Sequence, residues 1–476
     1  MRNKIPKIVI VGAGSLFFGR QAIWAVNHLP GLKGCTLTLV DTDPVHLDKM
    51  VRLARLAAET SGSGTIVEGF SDYREALPGA DFVVLSFSER NAHYRRIDCQ
   101  ISAKYGIRMC SGDTIGAGGV FRTLREFPKI LEICHEIEKI CPDAWVINYV
   151  NPSAIMGIGV MRHSKVKSFA LCDGQHLPYK KQAYLKLLGE DLAKIDRFRM
   201  EIAGVNHFTW MLKAELDGVD VLPRIHEAFR SLSVTEQDQG HSKGRFNNFI
   251  TAQLGDVFGA LPTITGHTKE YVPYYQGRAA IQEPIPPLAV FDSTGREELT
   301  AKFWQEVDDY LSGAKPIAEF HTKTKSDHAT DIIQTMVNED GRTYYVNRTN
   351  SDALKGDRAV GNLPGDAFLE LECHLDRNGP RPLPVSDFPL GLRAQQFLIL
   401  DVHELTIDAI VKQDRSLLVR ALAMDPLINS IATAEVLIEE LYEAEKEALP
   451  QWVKKDASKT SGPTGLVSVQ HAPQLF

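Results

Sequence analysis

Two hydrophobic rhythms alternate along the first two hundred residues. Short β-branched or apolar runs at Lys7–Val11 (KIVIV), Thr36–Val40 (TLTLV), residues 81–86 (DFVVLS), 144–149 (AWVINY) and 166–171 have the length and continuity of strands buried on both faces. Between them, apolar residues recur at helical spacing from Ser15 to Val26, over residues 47–59, and along the long amphipathic segment 120–140. Strands alternating with helices of this length predict βαβ units in a doubly wound, mostly parallel sheet of Rossmann type. After about residue 195 the rhythm changes. Residues 198–202 and 210–216 read as strands of a different, mixed sheet, and 270–292, rich in Tyr, Pro and Gly, as loop. Residues 392–410 and 417–449 read as helical, with Pro426 starting a new helix or kinking the old one. The expected organisation is a Rossmann domain over 1–195, an α+β catalytic domain with C-terminal helices over 196–455, and a polar, poorly ordered tail over 456–476.

A chain of 476 residues is long enough for two large domains. With 44% hydrophobic and 24% charged residues its composition is that of a globular protein. A net charge of -7 argues against nucleic acid or an anionic membrane as partner, while leaving room for a locally basic pocket. No apolar run is long enough to span a membrane, and the first residues pass into a strand without the apolar region of a signal peptide. The seven cysteines are odd in number and lack CxxC pairs, which fits a reducing compartment, so a cytoplasmic location is expected.

The first candidate chemistry is a glycine loop. Gly12 and Gly14, followed by Ser15, stand between a strand and a helix, where a tight turn lets backbone approach a pyrophosphate at the helix N-terminus. The third glycine of GxGxxG would fall at Phe17, and Gly19 comes two positions late. Asp41 ends the next strand, where a ribose hydroxyl acceptor belongs and a 2′-phosphate is repelled, so NAD is expected over NADP. Polar residues also follow three other strands: Ser86 and Ser88, then Asn148 and Asn151, then Cys172 and Asp173. Ligands of open α/β sheets bind along that edge. The Gly112–Gly119 segment, GDTIGAGG, precedes a helix and can bond its first amides or admit a ligand to its backbone. Cys172 and His207 could supply a thiolate and an imidazole to an open metal site, though two ligands do not close a structural zinc site. The HTKEYVPYY segment adds His267 and Tyr271 beside other aromatics, as packing residues or as a source of a base.

Taken together these segments resemble glycoside hydrolase family 4. The shared pieces are the GAGS loop, GDTxGxGGxFRxLR from Gly112, CPDAWxxNxxNP from Cys141, the cysteine at 172, GxNHFxW from Gly204, HxxEYxP from His267, NLPGDA from Asn362 and ELTxxA from Glu404. The resemblance implies NAD and a divalent metal, usually manganese. It implies hydride removal from C3 of the sugar, loss of the C2 proton to a base, elimination of the C1 substituent, water addition and return of the hydride. Residue by residue, it implies Cys172 and His207 as metal ligands and Asn151 as a substrate contact. Gly12, Gly14, Ser15, Asp41 and Ser86 would hold the cofactor, Asp173 would act as acid and contact substrate, and either His267 or Tyr271 would be the C2 base. GDTIGAGGVFRTLRE and HTKEYVP resemble the neutral α-galactosidase and α-glucosidase branch, whereas Cys172-Asp173-Gly174-Gln175 matches no branch cleanly. An α-glycosiduronase or 6-phospho-α-glucosidase is the alternative within the family. Outside it stand an NAD-dependent hydroxy-acid dehydrogenase and a non-catalytic NAD sensor. A homo-oligomer, dimer or tetramer, acting on a small glycoside is expected.

Overall fold

The computed structural model describes residues 5–15, 18–233, 243–278 and 285–454. Its frame is one sheet. Six strands, β1 (Lys7–Val11), β2 (Thr36–Val40), β3 (Ile66–Phe70), β4 (Phe82–Leu85), β5 (Trp145–Asn148) and β6 (Lys167–Ala170), run parallel in the order β3-β2-β1-β4-β5-β6. This is the Rossmann order. The chain leaves β1 towards β2 on one side and returns to β4 on the other, opening a crevice at the carboxyl ends of β1 and β4. The inner strands are apolar on both faces because helices cover both, and Ile8, Val9, Leu37, Leu39 and Val83 are fully buried. β3 was not visible in the pattern: its sequence IVEGF is only half-buried, as suits an edge strand.

Beyond β6 the sheet continues antiparallel. The hairpin of β7 (Phe198–Val205) and β8 (Phe208–Leu216) carries two-residue β9 (Val219–Asp220) and β10 (Leu261–Pro262) on β8. β11 (Thr343–Thr349) pairs with β6 at Asn347↔Ala170, and β12 (Phe368–Asp376) lies between β11 and β7, with β13 (Gly379–Pro382) beside it. The hairpin therefore does not belong to a different sheet, as its altered rhythm suggested. β11 and β12, more than a hundred residues later in sequence, bridge it to the parallel half. Local periodicity carries no information about such distant pairing.

Five helices shape the region above the strand ends. Asn91–Lys104 packs on Gly116–Ile140, which packs on Ser153–His163, and Thr294–Ser312 packs on Pro44–Ser61. Gly116–Ile140 begins four residues before the amphipathic pattern does, within its glycine run. The C-terminal helices are Leu390–Lys412, Arg415–Met424 and Ile431–Glu445, and Pro426 lies in the break between the last two. No helix among the described residues is long and apolar enough to cross a membrane. The tail over 456–476 lies outside the described residues.

Candidate active site

The glycine loop is built by close contacts. The amides of Gly12 and Ala13 both donate to Val40 O at 2.9 Å, tying the loop to the end of β2. Gly12 has φ +91, and a Cβ there would lie 2.8 Å from the Phe87 backbone, so only glycine fits. Gly19 performs the third-glycine task despite its offset. It opens the helix Gly19–His28, where a Cβ would meet Ala13 O at 2.1 Å. Asp41 accepts from Gly14 N at 2.8 Å and from Asp43 N at 3.0 Å. Ser86 donates to Gly12 O at 3.2 Å. Gly12, Gly14, Ser15, Asp41 and Ser86 line one cavity of about 680 Å³; Phe17 lies outside the described residues.

Ser15, His46, Ser86, Phe87 and Ser88 also line a second cavity of about 1010 Å³, so the two adjoin. Asn151, Cys172, Asp173, His207 and His267 face this second space. Each arrives from its own element. Asn151 follows β5, and Cys172 and Asp173 follow β6. His207 sits in the two-residue turn between β7 and β8 with a left-handed φ of 65, unusual for a side chain of this size and enforced by the tight hairpin. Thr268 holds that turn by donating to His207 O at 3.0 Å. Asn148 does not join them, because its amide closes a local turn with Val150 at 3.0 and 3.1 Å.

Burial in the cavity wall pushes the Cys172 thiol up to about 11, against hydrogen bonds from Gly174 N and the Asn206 amide. Desolvation lowers His207 to about 4, so its imidazole is neutral at physiological pH. A neutral imidazole and a thiol that a cation would deprotonate form a donor pair suited to a divalent ion. Among the described residues no group of three or more His, Cys, Asp or Glu side chains could hold a metal, so water or substrate would complete the coordination. Asp173 is reached by solvent through the cavity. Desolvation by the surrounding wall nevertheless raises its carboxyl, tempered by His176 and by a hydrogen bond with Tyr149. The Tyr149 hydroxyl accepts from Ala329 N at 2.8 Å, which leaves its proton for Asp173.

His267 and Tyr271 part company. His267 lies on the cavity wall, stacked on His207 with ring centroids 4.0 Å apart, and its Nδ1 has no protein partner. Desolvation lowers it to about 3. Tyr271 is packed behind that wall, its ring stacked on Phe208 and its hydroxyl donating to Thr114 O at 3.4 Å. Glu270, fully buried, accepts from the amides of Ser111 and Gly112. Glu270 and Tyr271 thus anchor the HTKEY segment to the GDT loop.

That loop also supplies a carboxylate that the sequence pattern alone does not single out. Asp113 is buried, accepts from Ser111 Oγ at 2.9 Å and Asn151 Nδ2 at 3.4 Å, and pairs with Arg122 at 3.3 Å and Arg95 at 3.5 Å. Burial works to raise its carboxyl, but the two guanidinium groups hold it well below the usual carboxylate range. The sequence profile of the Family 4 glycosyl hydrolase matches residues 7–184, and that of its C-terminal domain matches residues 202–428. The chain belongs to glycosyl hydrolase family 4. This family 4 glycosidase is 27% identical over 456 residues to an alpha-galactosidase of Bacillus subtilis (strain 168), covering 94% of this chain and 100% of that one. It is also 27% identical over 473 residues to an alpha-galacturonidase of Lachnoclostridium phytofermentans, with 94% and 97% covered. Its backbone superposes with a TM-score of 0.77 on a 6-phospho-alpha-glucosidase from gut microorganisms in complex with NAD and Mn2+. That pair shares 21% identity over 94% of this chain and 99% of the other, which shows a common fold.

Arg95, Arg122 and Tyr149 were not singled out in this glycosidase from its sequence. Arg95 and Arg122 each occupy one position on a helix, where an arginine reads as solvated. The available signal was the GDT triplet ahead of a glycine run, which places a carboxylate in a loop that needs buried partners.

Proposed function

We propose that this glycosidase cleaves a gluco- or galacto-configured α-glycoside by NAD-dependent redox elimination with a divalent metal, manganese being the first choice. The observation that carries this reading is the junction of the glycine-loop cavity with the cavity that holds Cys172, His207, Asp173 and His267. When bound, NAD supplies a hydride acceptor for C3 and the metal a Lewis acid for the C2 and C3 oxygens. Gly12, Gly14, Ser15 and Ser86 would cradle the dinucleotide, Asp41 its ribose, and Cys172 and His207 the metal. Asn151, held by Asp113, orients the sugar. His267, rather than Tyr271, would take the C2 proton: its neutral ring lines the cavity beside His207, and its Nδ1 is buried without a protein partner. Asp173, whose carboxyl is raised by desolvation, would be the acid for the leaving oxygen. Ionising Tyr271 is opposed by its desolvation, which supports a role in anchoring rather than in proton transfer.

Cys172→Ser and His207→Ala should each abolish metal-dependent turnover while NAD binding, followed by fluorescence titration, stays within about threefold of wild type. A Cys172→Ser protein with normal activity would refute the metal assignment.

A further inference from the structure

Strand β12 breaks its hydrophobic pattern at Glu370. Phe368, Leu369 and Leu371 are buried in the middle of the sheet, yet Glu370 among them is a carboxyl group with no exposed surface. Its register sets it across from Gly204 of β7 on one side and Asn347 of β11 on the other. Asn347 pairs in turn with Ala170, two residues before Cys172. The Cys172 sulfur acts on the carboxyl through space.

Among the described residues one side chain holds this carboxyl. Its Oε2 accepts from Asn206 Nδ2 at 3.4 Å, and its Oε1 has no partner. Asn347 does not serve, since neither of its side-chain polar atoms is bonded, and the Lys180 ammonium is taken by Thr263 O. Asn206 is itself buried, beside His207 in the hairpin turn. Its amide also reaches the Cys172 sulfur, where a donated hydrogen bond favours the thiolate. The second donor to that sulfur, Gly174 N at 3.4 Å, is backbone and points one way only. An asparagine side chain has two choices, because its NH2 and its carbonyl can exchange places. The acceptor at Oε2 settles the choice by drawing the NH2 to the side shared by Glu370 and the sulfur. Burial favours the protonated carboxyl, and with the proton on Oε1 the Oε2 atom is still an acceptor.

We propose that Glu370 is a positioning residue for the metal site: it holds the Asn206 amide so that its NH2 faces the Cys172 sulfur when that sulfur binds the divalent ion. This rests on the assignment of Cys172 to the metal. A hydrogen bond to a ligand atom fixes its direction and tunes its donor strength, so losing the holder weakens the metal without touching the ligand.

The test uses the full chain with NAD, freed of metal by a chelator. Mn2+ is titrated by calorimetry, and Co2+ is added separately because its sulfur-to-metal charge-transfer absorption reports a thiolate ligand. Glu370→Met and Asn206→Leu should each weaken Mn2+ binding about 10- to 100-fold. Both should move the Co2+ band to longer wavelength, since a sulfur relieved of its hydrogen bond gives up charge more easily. Glu370→Gln, which keeps an acceptor oxygen, should bind Mn2+ within about threefold of wild type. The double variant Asn206→Leu, Glu370→Met should bind no more weakly than Asn206→Leu alone, because Glu370 acts through Asn206. Thermal unfolding of the metal-free proteins separates this from general loosening, and Glu370→Ala takes the place of Glu370→Met if the latter does not fold. Additive losses in the double variant would overturn the inference and leave Cys172 as a ligand. So would an unchanged affinity and band in Glu370→Met. A wild-type protein whose Co2+ complex lacks the sulfur band, like Cys172→Ser, would overturn the metal assignment and this inference with it.

Discussion

His267 and Tyr271 lie four residues apart in one motif, and the backbone sends them to opposite sides of the cavity wall. His267→Ala should therefore lower turnover by about 10²- to 10⁴-fold and suppress exchange of the C2 proton. Tyr271→Phe should stay within about threefold of wild-type activity and cost about 1 kcal/mol of stability, the value of one buried hydrogen bond. A steady-state assay paired with denaturant unfolding of both variants decides the matter, and a silent Tyr271→Phe beside a silent His267→Ala would leave the base unassigned. Asp41 makes a similar demand on the cofactor: NAD should bind at least about tenfold more tightly than NADP, and Asp41→Asn should narrow the gap. Equal affinities in the wild type would remove Asp41 from the ribose site. Residues of this kind were legible because strand ends and a tight hairpin leave few directions in which a polar side chain can point. Asp113, Arg95 and Arg122 were not, because a cap and two helix arginines acquire meaning only when three elements meet.

At the scale of elements, the helix Gly116–Ile140 is held at its start from a distance. Asp425, in the break after Arg415–Met424, accepts from Gly116 N and Leu427 N, each at 2.9 Å. Burial raises its carboxyl from 3.8 to about 6, so the folded protein binds this proton more readily than the unfolded chain does. The stability this contributes is fully present below about pH 4 and is lost as pH rises through about 6. A shift of this size corresponds to about 3 kcal/mol. Urea unfolding of wild type and Asp425→Asn at pH 4.5 and pH 7 should show the wild type losing part of that amount relative to the variant, and parallel curves would show that Asp425 does not titrate in this range. The helices and inner strands were readable from periodicity because each buries a continuous apolar face. β3 was not, being a half-exposed edge, nor were β11 and β12, whose partners lie far away in sequence. The start of Gly116–Ile140 was hidden because its first turn is mostly small residues anchored by a carboxylate some three hundred positions later.

The whole molecule is organised around one sheet whose parallel half presents the glycine loop and whose antiparallel half delivers His207, with residues after each half closing the cavity between them. A chain of polar strand ends became one site because β11 and β12 join the halves in a single layer. On the proposed mechanism, bond cleavage in this cavity proceeds through loss of the C2 proton. Hydrolysis in deuterated water, with NAD, Mn2+ and a thiol reductant, followed by mass spectrometry and NMR of the released sugar, reads the fate of that proton. Deuterium is expected at C2 of the product and none at C3, since the hydride returns to C3 without meeting solvent. Complete turnover with protium retained at C2, under conditions where the base exchanges freely with solvent, would contradict it.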